Sequence, residues 1–134
     1  MRKALLAFLA PALTACATHG VHPLRPLDLP TAPYVEGAAV ETLSGSLTYD
    51  DGCVMFRAQG GERLLTIWPR SSVFNGTSLM FHRPGKTEHP LLVNEEIEIR
   101  GERLPAAYAQ ANFAPYLRRC GGVPFFVAQV RPAD

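Results

Sequence analysis

The sequence predicts a mainly β domain, and three observations carry that reading. Apolar residues alternate with a period of two from Glu41 onward, strong turn signals recur at short spacing, and only one short stretch suits a helix. Leu43, Gly45, Leu47 and Tyr49 alternate with Thr42, Ser44, Ser46 and Thr48, the pattern of a half-buried strand. Asp50-Asp51-Gly52 supplies a turn, and Cys53 to Ala58 forms a second strand with Val54 and Phe56 on one face. Gly60-Gly61 suits a tight hairpin, and Arg63 to Trp68 follows as a third strand, ended by Pro69. Asn75-Gly76, the strongest short-range hairpin signal, lies between Val73-Phe74 and Leu79-Met80-Phe81. A short helix over 77–81 competes with that hairpin. Pro84-Gly85 fits the centre of a type II turn. Leu91 to Arg103 reads as one further strand, with Val93, Ile97 and Ile99 opposite Glu96, Glu98 and Arg100. Pro105 at a first helical turn, followed by AAYAQAN, predicts a short helix, and Val123 to Val130 closes the chain as an apolar strand. Three meandering strands, an elaborated connection, a fourth strand and a fifth give the order of a small, partly open, OB-like β-barrel over residues 39–134. The helix is unusually placed for that order, so a generic small barrel or sandwich is the alternative.

The segment before this domain has a different character. Arg2 and Lys3 form a basic start, Ala4 to Leu13 are apolar, and Pro11 interrupts them. That layout predicts a secretory signal peptide over residues 1–15, too short to span a bilayer as a helix. The run ends Leu13-Thr14-Ala15-Cys16. It resembles the lipobox of bacterial lipoproteins, processed by a type II signal peptidase. The resemblance implies cleavage before Cys16 and diacylation of its sulfur. With Ala17 rather than Asp next, it also implies residence in the outer membrane facing the periplasm. Two acyl chains hold a protein stably where one does not. From Thr18 to about Gly37 periodicity disappears while Pro23, Pro26, Pro30 and Pro33 recur. Residues 16–38 therefore read as a lipidated N-terminus and a proline-rich, semi-rigid tether reaching up to roughly 60 Å.

Removing Arg2 and Lys3 takes the 13 basic side chains to 11, against 12 acidic ones, a formal charge of −1. No basic patch dominates, which excludes nucleic acid as the expected partner. Of three cysteines, lipidation of Cys16 leaves Cys53 and Cys120, an even pair that an exported chain is expected to join in a disulfide.

Motifs for chemistry are few. Gly85-Lys86-Thr87 looks like the end of a phosphate-binding loop, but the glycine needed five residues earlier is Met80. His82 and His89 share a polar loop with Arg83, Lys86 and Glu88, without the ligand spacing a metal needs. There is no nucleophile elbow, so no catalytic residue, metal or cofactor is assigned. The remaining candidate is a partner or ligand surface of mixed aromatic and basic character, Trp68, Arg70, Phe74, Asn75, His82, Arg83 and Lys86, around the longest connection. The competing reading of Trp68 and Phe74 is as core residues. In size and class the chain is similar to lipoproteins that inhibit lysozymes, but their inhibitory loop motif is not present and that activity is not carried over. The expected function is a non-enzymatic binding or assembly module of the cell envelope, its partners the membrane through Cys16 and an envelope protein or cell-wall material. The alternative is an envelope hydrolase acting on cell-wall or lipid material through the His82–His89 loop.

Overall fold

Residues 28–33, 40–81 and 90–133 of the computed structural model are described; they form nine strands and one helix. In chain order these are β1 (Thr31–Ala32), β2 (Glu41–Asp50), β3 (Cys53–Ala58), β4 (Arg63–Pro69), β5 (Val73–Phe74), β6 (Ser78–Met80), β7 (Pro90–Leu92), β8 (Glu96–Arg103), α1 (Ala106–Cys120) and β9 (Val123–Pro132). The lipobox, most of the expected tether and the His82–His89 loop lie outside the described residues.

β2, β3 and β4 form the expected antiparallel meander. Asp51 and Gly52 both take positive φ (49° and 77°), as a two-residue hairpin turn whose twist matches its strands requires. β8 then pairs antiparallel with β2, β9 antiparallel with β8, and β9 returns parallel to β4, so five strands close into a ring. Counting only ring strands, the order is first, second, third, fifth, fourth and back to the first, the OB-like sequence of pairings. Leu47, Val54, Phe56, Leu64, Ile97, Ile99, Phe125 and Val127 belong to one core cluster built from all five strands. Alternation explains the choice, because successive side chains on a strand point to opposite faces.

Closing so few strands requires tight bending, and two glycines permit it. A Cβ at Gly45 would fall on the Arg57 carbonyl oxygen, and one at Gly101 on the Phe126 carbonyl oxygen. Gly101 sits where the β8–β9 register shifts, the mark of a bulge that turns the strand.

Three elements differ from the expectation. The single strand over 91–103 is two, β7 and β8, broken where Asn94 adopts φ 68°. Asn tolerates this left-handed conformation because its side chain can bond locally. β7 therefore pairs with β6, which pairs with β5, giving a separate three-stranded sheet. Its inner row, Phe74, Leu79 and Leu91, joins the ring core, and Tyr49 meets Phe74 edge to face at 4.9 Å. The Asn75-Gly76 hairpin forms and the competing helix does not. The Asn75 Oδ1 accepts from the Thr77 and Ser78 amides at 3.0 and 2.9 Å, which holds the turn.

The helix is the second difference, for it runs past AAYAQAN to Cys120. Phe113 is non-helical (φ −131°, ψ 21°), and Pro115 stands two residues later. Proline lacks an amide hydrogen and disfavours helical geometry in residues just before it, so α1 is two helical pieces joined by a kink. The kink buries Phe113 with Ile67, Phe126 and Ala128 outside the ring. At its far end Cys120 is bonded to Cys53, with 5.6 Å between Cα atoms, pinning α1 to the start of β3 over Met55 and Leu65.

The third difference concerns the stretch read as tether. Residues 28–33 are docked on the ring: β1 pairs parallel with β4 at Trp68 and Pro69. Trp68 donates its amide to the Pro30 carbonyl at 3.0 Å and Arg70 to that of Ala32 at 2.8 Å. Leu29 and Ala32 are buried, and the Tyr116 hydroxyl donates to Asp28 at 2.6 Å. An edge position asks no amide of Pro30 or Pro33, so proline spacing that suits a spacer suits an edge strand equally well.

Where β2 starts, β3 turns into β4 and β8 ends, Arg103 forks between two carboxylates. Its Nε donates to Glu41 at 2.9 Å and its Nη2 to Glu62 at 2.7 Å. The hydrogen bond from Arg103 holds the Glu62 carboxyl below the usual range, against a small opposing effect of burial. A carboxylate with a lowered folded pKa stabilises fully above its unfolded value, about 4.3, and loses that contribution as pH falls through the folded one. Urea midpoints of the wild type and Arg103→Gln are therefore expected to differ slightly at pH 7 and to converge as the pH falls below the usual carboxylate range. An unchanged gap at low pH would contradict the assignment.

Candidate functional site

Four of the seven residues that the sequence grouped are among the described residues, and they differ in exposure. Trp68 and Phe74 are fully buried in the ring core, Trp68 edge to face with Phe81 at 6.0 Å between ring centres. Asn75 is exposed, but its carbonyl oxygen is occupied by the turn it makes. Arg70 is exposed beside the docked segment and is free to meet a partner. His82, Arg83 and Lys86 lie outside the described residues. Trp68 and Phe74 are thus structural, and among the described side chains the mixed surface keeps Arg70 and the turn residue Asn75.

Charge is arranged along the strands rather than gathered at one point. Glu98 on β8 faces Arg131 on β9 in register, and the two form an ion pair, with the Arg131 Nε at 3.1 Å from the carboxylate. Glu96 is exposed and Glu98 takes its cation from the neighbouring strand, whereas Arg100 departs from the expected solvated face, its Nε being buried without a partner among the described residues. Among the described residues no three His, Cys, Asp or Glu side chains gather as a metal site. No helix among them is long and apolar enough to cross a membrane.

A concave feature lies elsewhere. Ala32 and Pro33 of the docked segment, Glu102 and Leu104 at the end of β8, Pro105 and Tyr108 at the start of α1, and Phe126 of β9 line an open cleft of about 240 Å³. Each wall has a local cause. β1 follows the edge of β4 and brings Ala32 alongside Ile67 and Phe126. Leu104 donates its amide to Pro124 at 3.0 Å, which fixes the chain as it leaves β8. Pro105 opens α1, and the Ala109 amide bonds back to its carbonyl at 3.0 Å. Tyr108 stands in the first turn, edge to face with Phe113 at 6.2 Å and 44% exposed. The cleft offers two aromatic rings, two prolines, aliphatic walls and one carboxylate, a set suited to an apolar group carrying a hydrogen-bond donor or a positive charge.

Beside the cleft, Tyr116 holds Asp28 in place. Burial, reinforced by the Asp28 hydrogen bond, pushes the Tyr116 hydroxyl up to about 12, so it stays protonated and donating at neutral pH. No protein-family model, curated protein or solved structure matches the chain.

Proposed function

We propose that the chain is a lipid-anchored envelope protein, held in the outer membrane and facing the periplasm, whose disulfide-stapled ring is a binding or assembly module. The observation that carries the reading is the run Leu13-Thr14-Ala15-Cys16 behind a basic start and a short apolar core. The Cys53–Cys120 bond supports it, because disulfides persist in oxidising compartments such as the periplasm.

The cleft is the module's point of contact. At about 240 Å³ it is smaller than the ~300–1,000 Å³ typical of pockets that engulf a whole small molecule. A site of that size takes one side chain or one ring of a larger partner, seated on Tyr108 with its donor toward Glu102. This favours an envelope protein or cell-wall material over a free metabolite. The hydrolase alternative rests on the His82–His89 loop, and no described feature favours it.

In-cell crosslinking with a photoreactive residue at position 108, 70 or 59 tests the proposal. One partner captured from position 108 and none from 59 is the expected result. Capture from 70 alone would return the contact to the surface first read from the sequence. No adduct at any position would remove the binding reading.

A further inference from the structure

The small sheet β5–β6–β7 has a second face that packs against no described element. Register places Val73, Met80 and Pro90 in one row across its three strands, with Ser78 and Leu92 in the next row. Phe74, Leu79 and Leu91 point the other way, into the core, so alternation turns these outward. Val73 is 39% and Leu92 52% exposed; Pro90 is exposed and Met80 half-buried. A two-residue and two three-residue strands thus present an almost wholly apolar outer face.

Two observations select its occupant. The patch is a handful of side chains, far below the roughly 800 Å² per partner that a stable protein–protein contact buries, so it cannot hold a second copy by itself. It needs a surface already held close. Docking of residues 28–33 supplies one, because the chain length between Cys16 and Asp28 then limits their separation to at most about 40 Å. A tether of that length keeps the domain beside its membrane at high effective concentration, where a weak apolar contact is enough to fix orientation. Arg70 lies at the edge of the same sheet, one short turn before Val73, where the Ser72 amide bonds the Pro69 carbonyl at 3.2 Å. An exposed guanidinium beside an apolar patch is suited to lipid headgroups. At the opposite edge Glu95 turns an oxygen to the Leu92 amide at 3.3 Å.

Resting on the lipid-anchor reading, we propose that the outer face of β5–β6–β7 lies against the bilayer in which Cys16 is anchored. The orientation leaves the Arg103 end of the ring, with the β3–β4 hairpin, toward the periplasm.

The test uses the full mature lipoprotein in phosphatidylethanolamine–phosphatidylglycerol vesicles containing nitroxide-labelled lipid. A fluorophore is attached at Val73→Cys, Leu92→Cys or Gln59→Cys, the last on the β3–β4 hairpin. Labels at 73 and 92 should be quenched severalfold more than the label at 59. A Val73→Asp/Leu92→Asp variant carrying the label at Met80→Cys should lose most of its quenching while still floating with the vesicles. Equal quenching at all positions in floating protein overturns the proposal and leaves the anchor intact. Labels at 73 and 92 that escape the lipid quencher but are shielded from aqueous iodide would mean a protein covers the face, which also overturns it. Protein that does not float overturns the anchor and the proposal together.

Discussion

Replacing both Cys53 and Cys120 with serine should lower the unfolding free energy by about 4 kcal/mol, the chain-entropy value for a cross-link of this loop length. The bond spans 67 positions, a loop that holds β3, β4, β8 and the small sheet, and joins β3 to the far piece of α1. For a domain of about 100 residues this corresponds to a fall in melting temperature of roughly 15–30 °C. Loss should begin at α1, since Tyr116, Leu117 and Cys120 pack there on Met55 and Leu65 in a small cluster of their own. Thermal unfolding by circular dichroism, with and without reductant, measures both. A shift of only a few degrees would mean the α1 packing holds without its staple.

Trp68→Ala should cost about 3–5 kcal/mol, the usual range for emptying a buried aromatic site. The indole is fully buried among core residues drawn from the ring and the small sheet, so its removal leaves a cavity at their junction. Trp68→Phe should cost much less, for a specific reason. The indole Nε1 is buried without a hydrogen-bond partner among the described residues, as is Thr66 Oγ1 on the same strand. Phenylalanine removes that unsatisfied donor together with part of the volume, and an unpaired buried donor is itself destabilising by about 1–3 kcal/mol. Chemical denaturation of the two variants gives the comparison. A Trp68→Ala protein of unchanged stability that failed to capture its partner would restore Trp68 to the contact surface.

Local chemistry made much of this fold readable. Asp51-Gly52 carries its turn in two residues, Asn75 and Gly76 open theirs, and alternation separates the inside of β2 and β8 from their outside. The disulfide followed from counting cysteines in a chain expected to be exported. What escaped the reading depends on contacts between distant segments. Asn94 breaks a strand only because β7 has β6 to pair with. The run of α1 past AAYAQAN to Cys120 depends on Phe113 finding a pocket outside the ring. Residues 28–33 look like spacer because their prolines are regular, while Leu29 and Ala32 are single apolar residues with no period to announce them. The candidate site suffered most. Aromatic residues beside basic ones resemble a binding surface, yet Trp68 and Phe74 were core, and the cleft is assembled from the docked segment, β8, α1 and β9, which no local window contains.

The anchor is the claim on which the functional account stands, and mass spectrometry of the mature N-terminus tests it directly. Membrane-extracted protein should begin at Cys16 and carry the mass of two or more acyl chains, and Cys16→Ser should move the protein out of the membrane fraction with those masses absent. An unmodified Cys16, or a Cys16→Ser protein that stays in the membrane with an unchanged mass pattern, would contradict the account.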